Sequence, residues 1–210
     1  MTNSKAIKKI IYVLSISLLI PGCKSHEIAR EPANYYYQNP NKKISDMGRI
    51  AIVELQNDSS YPQMSNDITE ALFQSLQKKQ VFGLTMVRQR DPLWKSLQLE
   101  PDATYTLDQM AAIRQTLKCD GVLIGTITEF KPYPHMAAGL RLKLIDLTQG
   151  ELLWALEQVW NSSDKITEQK IKKYLNETKS SSLKNSNERI TSMSPLEFIK
   201  YVSFEVAQTL

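Results

Sequence analysis

The sequence predicts an α/β fold on the α+β border, with a single mixed β-sheet of about five strands and helices packed on it. Three observations carry this. Short apolar runs rich in β-branched residues recur at Arg49–Leu55, Val81–Arg88, Gly121–Phe130, Leu140–Leu147 and Glu151–Trp160, and each reads as a strand. Segments with helical apolar spacing separate the first three runs. The last two runs follow each other through a turn at Asp146–Gly150, which closes a hairpin. The order β-α-β-α-β-β-β-α-α makes the early strands parallel, because β-α-β units need crossovers, and the late strands antiparallel.

The elements are justified in turn. Arg49–Leu55 is a buried strand, and Asn57–Gln63 is a turn-rich loop. Ile68, Ala71, Leu72, Ser75 and Leu76 share one helical face, with Asp67 as cap, Glu70 three residues on, and Lys78 and Lys79 in the last turn. The stretch 89–104 holds Pro92 and Pro101 and reads as irregular, with one helical turn around Leu93–Leu97. Thr106 and Gln109 form a capping box by residue type, and Leu107, Met110, Ile113 and Leu117 follow on one face up to Lys118. In the fourth strand Leu140, Leu142 and Leu144 alternate with Arg141 and Lys143, giving one buried face and one wetter face. Two prolines keep the linker 131–139 out of a sheet centre. A helix over 166–176 carries Ile171, Tyr174 and Leu175. Residues 178–192 are rich in Ser, Asn, Lys and Thr and read as a mobile loop. Ser194, Pro195 and Glu197 combine an N-cap, Pro at N1 and a capping-box acid, opening a final helix with Phe198, Ile199, Val202 and Val206 inward.

Composition bounds the rest. The chain has 210 residues, 42% hydrophobic and 23% charged, which excludes wholesale disorder and a polytopic membrane protein. Seven Gly and nine Pro exclude a collagen-like chain. The formal charge of +4 is too small to argue for nucleic acid, and Lys5, Lys8 and Lys9 supply three of those charges.

Those lysines open an export signal. They precede an apolar run, Ile10–Ile20, broken only by Ser15 and Ser17 and too short for the roughly 20 residues of a bilayer span. Ile20-Pro21-Gly22-Cys23 resembles the lipobox of bacterial lipoproteins, with Pro21 departing from the usual pattern. The resemblance implies cleavage before Cys23 and lipidation of its thiol by diacylglycerol, with an N-acyl chain (palmitate) besides. More than one hydrocarbon chain gives stable anchoring. A plain signal peptide, or an uncleaved anchor with an incidental cysteine, is the alternative. Lys24 and Ser25 follow Cys23 where enteric lipoproteins held at the inner membrane carry Asp, so the resemblance favours the outer membrane, facing the periplasm. A lipidated Cys23 cannot pair with Cys119, which then reads as a small buried core residue.

The chain therefore divides into a signal peptide (1–22), a tether (23–47) and a periplasmic α/β domain (48–210). Within the tether, Tyr35, Tyr36 and Tyr37 are either an adhesive spot for a partner or a tail strand packed on its own domain. Trp154 and Trp160 lie an even number apart on one strand and share a face. Core packing is the default, and exposure would instead mark a docking surface.

The run from Ile50 through Val87, the helix leading into Asp120–Phe130, and the closing Leu140–Trp160 resemble a periplasmic α/β domain found in three envelope proteins. These are the curli-secretion channel lipoprotein, the lipoprotein activator of bifunctional penicillin-binding proteins, and the Tol-system propeller protein, in its N-terminal domain. Asp120, Leu123 and Gly125 match one motif of the group, and Ile145, Asp146, Leu147 and Gly150 match another. The resemblance implies an anticodon-binding-domain-like fold over about 49–160. It does not fix a biochemical role. The curli channel's two membrane hairpins find no room in the linker 131–139 or the turn 146–150.

No Gly-rich phosphate loop, His-Glu-x-x-His or Gly-x-Ser-x-Gly is present, and His26 and His135 lie in different contexts, so neither a metal site nor a cofactor is expected. Asp58-Ser59-Ser60 reads as a turn, Asp120 as a helix terminator, and Glu54 and Glu129 as strand residues facing water or a lysine. The expectation is a non-enzymatic, membrane-anchored envelope lipoprotein that binds a protein partner and no nucleic acid. A ring-forming secretion component related to the curli channel, with oligomers, and an envelope hydrolase with an unrecognised site are the alternatives.

Overall fold

A computed structural model describes residues 35–102, 104–178 and 192–210. Three long strands dominate it: β5 (Gly121–Lys131), β6 (Ala137–Asp146) and β7 (Leu152–Asn161), paired antiparallel in succession. β2 (Arg49–Val53) joins β5 in parallel, and β4 (Gly83–Val87) joins β2 in parallel. Two short strands complete one open sheet. β1 (Tyr36–Gln38) lies on β7, and β3 (Gln56–Asn57) continues beside β5, so the order is β1-β7-β6-β5-β2-β4 with β3 off that path. The mixed α/β sheet follows the expected order, and β1 and β3 take it from five strands to seven.

Helices α1 (Met64–Lys79), α4 (Lys165–Thr178) and α5 (Pro195–Gln208) cover one face. They bury Ile68, Leu72, Ile171 and Phe198 against Ile52, Leu123, Leu142 and Trp154. On the other face α3 (Leu107–Leu117) buries Met110 and Ile113 against Val53, Val122 and Ile124. The helical turn α2 (Pro92–Ser96) lies between β4 and α3 in sequence. The parallel strands are thus covered on both faces, as crossovers require, whereas the β6–β7 end carries Arg141, Glu157 and Val159 on an exposed face.

The caps follow the residue types. Thr106 accepts from Gln109 N–H at 3.3 Å while Gln109 accepts from Thr106 N–H at 2.8 Å, and Ser194 with Glu197 repeats the box on α5. α1 corrects the expectation that Asp67 caps it. The chain already turns at Tyr61–Met64, with Met64 N–H bonded to Tyr61 O, so the helix starts four residues earlier and Gln63 is its N-cap without a side-chain bond.

The motif residues have separate structural reasons. Asp120 accepts from the backbone N–H groups of Gly48 and Arg49, 3.1 Å each, which pins the start of β2 to the start of β5. A Cβ on Gly125 would meet Arg141 O at 2.4 Å and Leu142 Cδ2 at 2.5 Å, so only glycine lets β6 approach. Asp146 accepts from Thr148 N–H at 2.7 Å, and Gly150 closes the turn at φ +71°, a left-handed conformation that favours glycine.

One boundary needs correction. The stretch 36–47 belongs to the folded domain and not to a tether: β1 pairs with β7, Ile44 is buried, and Lys42 binds Asp146 at 2.6 Å. Except for Thr178 and Ser192, the loop 178–192 lies outside the described residues, as does the signal segment with Cys23.

Candidate functional site at the outer edge of β7

The sequence-predicted aromatic residues separate into two environments. Tyr36 lies opposite Leu156 and Tyr37 opposite Ala155, so the tyrosines form the outermost strand of the sheet. Tyr35, Tyr36 and Tyr37 are 73%, 41% and 46% exposed. Tyr36 and Tyr37 are thus on a strand of their own domain, Tyr35 directly precedes it, and all three still meet solvent.

Trp154 and Trp160 do share a face, but it is the core face, and they are 0% and 1% exposed. This corrects their assignment to a partner surface. The alternation of β7 turns even-numbered residues toward the face that α1, α4 and α5 cover, and burying two indoles there removes a large apolar area from water. Trp154 donates its indole N–H to Thr209 Oγ1 at 3.1 Å. Among the described residues, Trp160 Nε1 and Gln158 Oε1, on the same face, have no hydrogen-bond partner.

Between Tyr35 and the first turns of α4 the surface opens into a slot of about 340 Å³. Gln158, Val159 and Trp160 form its β7 side, and Ile166, Thr167 and Lys170 its helix side. Asp164 caps α4, accepting from Thr167 N–H at 2.9 Å and Thr167 Oγ1 at 3.0 Å, and these bonds hold its carboxyl below the usual range. At the rim Glu157 meets Arg141 at 2.8 Å, which lowers the glutamate and raises the guanidinium. Val159 and Ile166 add exposed apolar area, at 54% and 57%.

Behind the slot, Lys170 lies 3.3 Å from Glu205 of α5. Burial pushes the Glu205 carboxyl up against the opposing pull of Lys170. Tyr201 is also pushed up by burial, with Glu205 and Asp164 adding to it, and its hydroxyl has no hydrogen-bond partner among the described residues. The sequence gives no sign of this layer, since α4 and β7 meet only through the fold.

The polar residues considered for chemistry are engaged in structure. Ser59 N–H bonds Asn57 Oδ1 at 2.9 Å, making Asp58–Ser60 a turn. Glu54 accepts from Ser65 Oγ at 3.1 Å and Gln89 N–H at 3.0 Å. Glu129 pairs with Lys131 at 2.5 Å. Burial pushes the Cys119 thiol up to about 11. A second hollow of about 420 Å³ lies beside Lys42, Asp46, Asp120 and Asp146; Asp146 is committed to the Lys42 ion pair and to Thr148 N–H, and Asp120 to backbone N–H groups. Among the described residues no three His, Cys, Asp or Glu side chains gather to hold a metal, and no helix is long and apolar enough to cross a membrane.

No protein-family model and no curated protein sequence matches this chain. Solved structures do. The PelC dodecamer from Paraburkholderia phytofirmans is similar at 12% identity over 79% of this chain and 95% of that one, with a TM-score of 0.45. Lipoprotein GNA1162 from Neisseria meningitidis is similar at 16% identity over 64% and 99%, with a TM-score of 0.43. The LpoB C-terminal domain from Salmonella enterica is similar at 22% identity over 54% and 82%, with a TM-score of 0.39. LpoB, a penicillin-binding-protein activator, belongs to the group that the sequence motifs resemble.

Proposed function

We propose that this protein is a non-enzymatic lipoprotein of the bacterial cell envelope, anchored through lipid on Cys23 at the outer membrane and facing the periplasm. It binds an envelope protein partner through the β1–β7 edge. The observation that carries this reading is the exposure of Tyr36 and Tyr37 on a strand whose backbone is already fixed by β7, with the more exposed Tyr35 directly before it. Rigid, half-exposed tyrosines give contact area at little entropic cost. The lipobox-like Ile20–Cys23 supports the anchor.

The test is crosslinking in intact envelopes, comparing wild type with Cys23→Ser and with Tyr35→Ala/Tyr37→Ala. A partner whose recovery falls in both variants bears the reading out. Unchanged partners and location in both would overturn it.

A second reading, a head-to-tail ring, draws on the two outermost strands of one open sheet, β1 and β4. Mass in detergent separates the two: a single-subunit species removes the ring.

A further inference from the structure

Among the described residues the edge of β7 is only half used: β1 pairs with Trp154, Ala155 and Leu156, while β7 runs on to Asn161. Two hydrogen bonds fix which backbone groups face outward. Ser162 N–H reaches Met136 O at 2.8 Å, so even-numbered positions face β6. Asn39 N–H reaches Leu153 O at 2.8 Å, so odd-numbered positions face β1. Strand alternation then turns the N–H and C=O of Val159 outward, beyond Tyr36, the first residue of β1.

Those groups open into the slot beside Tyr35 and the first turns of α4. A free strand edge is a template for a further strand. Here the edge comes with unmet polar groups. Trp160 is 1% exposed, and among the described residues neither its indole N–H nor Gln158 Oε1 has a partner. Both flank Val159 on the core face and both line the slot. Buried polar groups are costly unless bonded, so a donor and an acceptor left open two residues apart favour a ligand that supplies both.

We infer that the slot receives an extended peptide segment of the partner protein, added antiparallel or parallel to β7 at Val159. Main-chain bonds to Val159 hold the strand. A polar side chain of that segment, of the Ser, Thr, Asn or Gln kind, turns inward to meet Trp160 Nε1 and Gln158 Oε1. The tyrosines contact its flank. This deepens the docking reading above and rests on it, naming strand addition as the mode.

The test uses the full-length chain in its own membrane. Val159→Pro removes the outward N–H and leaves the bonds to β6, a substitution that strand edges tolerate. Val159→Thr keeps the N–H. The inference expects partner recovery to fall roughly tenfold or more in Val159→Pro and to stay near wild type in Val159→Thr. It also expects a photocrosslinker at position 159 to reach the same protein as one at position 35. Should Val159→Pro fail to fold, hydrogen exchange on the wild type decides: the Val159 amide exchanges fast in the purified protein and slows on partner binding.

Three results would overturn the inference. One is a Val159 amide protected in the purified protein, which would assign the edge to the chain's own preceding residues. Another is a crosslink from position 159 to a second copy. The third is a partner retained by Val159→Pro yet lost with the tyrosines, which leaves the docking reading standing and removes strand addition alone. A partner insensitive to the tyrosines and to Cys23 would instead remove the docking reading itself.

Discussion

The Trp154 indole donates to the Thr209 hydroxyl at 3.1 Å, so the start of β7 is tied to the C-terminal end of α5. Thr209 passes the chain of bonds on, donating to Val206 O at 2.7 Å. Replacing Thr209 with Val keeps the shape and strands a fully buried N–H. An unsatisfied buried donor costs about 1–3 kcal/mol. The melting midpoint of Thr209→Val is therefore expected to fall by several degrees, at roughly 2–4 °C per kcal/mol for a domain of this size. Thr209→Ser, which keeps the hydroxyl, melts close to wild type. Circular dichroism melts of the two variants check this, and equal midpoints would remove the bond from the account.

Gly125 tests the motif in the same way. A methyl group there meets the Arg141 carbonyl at 2.4 Å, and a backbone carbonyl inside a sheet cannot swing aside. Gly125→Ala is expected to destabilise by about 1–3 kcal/mol through overpacking. Gly48→Ala meets only the Asp120 carboxylate, at 2.8 Å, and that side chain can shift. Urea unfolding should rank Gly125→Ala well below Gly48→Ala in stability. The reverse order would mean that β6 adjusts more easily than its register suggests.

These two residues show how the sequence was legible and where it was not. Gly125 and Asp120 stand out in a linear pattern because their reasons are local: a close strand, and two N–H groups next in space. The helix caps at Thr106 and Ser194 are legible for the same cause, since each box closes within three residues. The β1 strand is not. Tyr36–Gln38 shows no alternation, and β7, more than a hundred residues away, supplies its pairing. The tryptophans were ambiguous because a shared face says nothing of which face the helices cover. The slot was invisible, as Val159 and Ile166 meet only once α4 folds back beside the edge.

Glu205 makes stability depend on pH. Burial raises its carboxyl above the ordinary value of 4.5, and Lys170 offsets that only in part. A raised carboxyl means that the folded state binds its proton more tightly than the unfolded state does. Its contribution therefore favours folding at low pH and is lost as pH rises from about 4.5 through the folded value. Glu205→Gln cannot ionise. The unfolding free energy of the variant minus that of wild type should rise with pH across this window and flatten above it. Denaturant titrations at a series of pH values check the sign, and a difference that falls with pH would contradict it.

Cys119 gives the last prediction and reports on the anchor as well. The thiol is 2% exposed, and burial pushes it up to about 11, so at neutral pH it is both shielded and protonated. Thiolate is the reactive form. Native protein taken from membranes should resist maleimide, and protein in strong denaturant should take up label at Cys119. If Cys23 carries lipid, no second thiol becomes available on unfolding, and Cys119→Ala abolishes labelling altogether. Mass spectrometry of the labelled chain counts the thiols directly. Two labels per unfolded chain would show Cys23 free and remove the lipid anchor from the proposed function. Rapid labelling of the native state would instead mean that the α3 side of the sheet opens at ordinary temperature, because Cys119 packs there beside Val122 and Ile113.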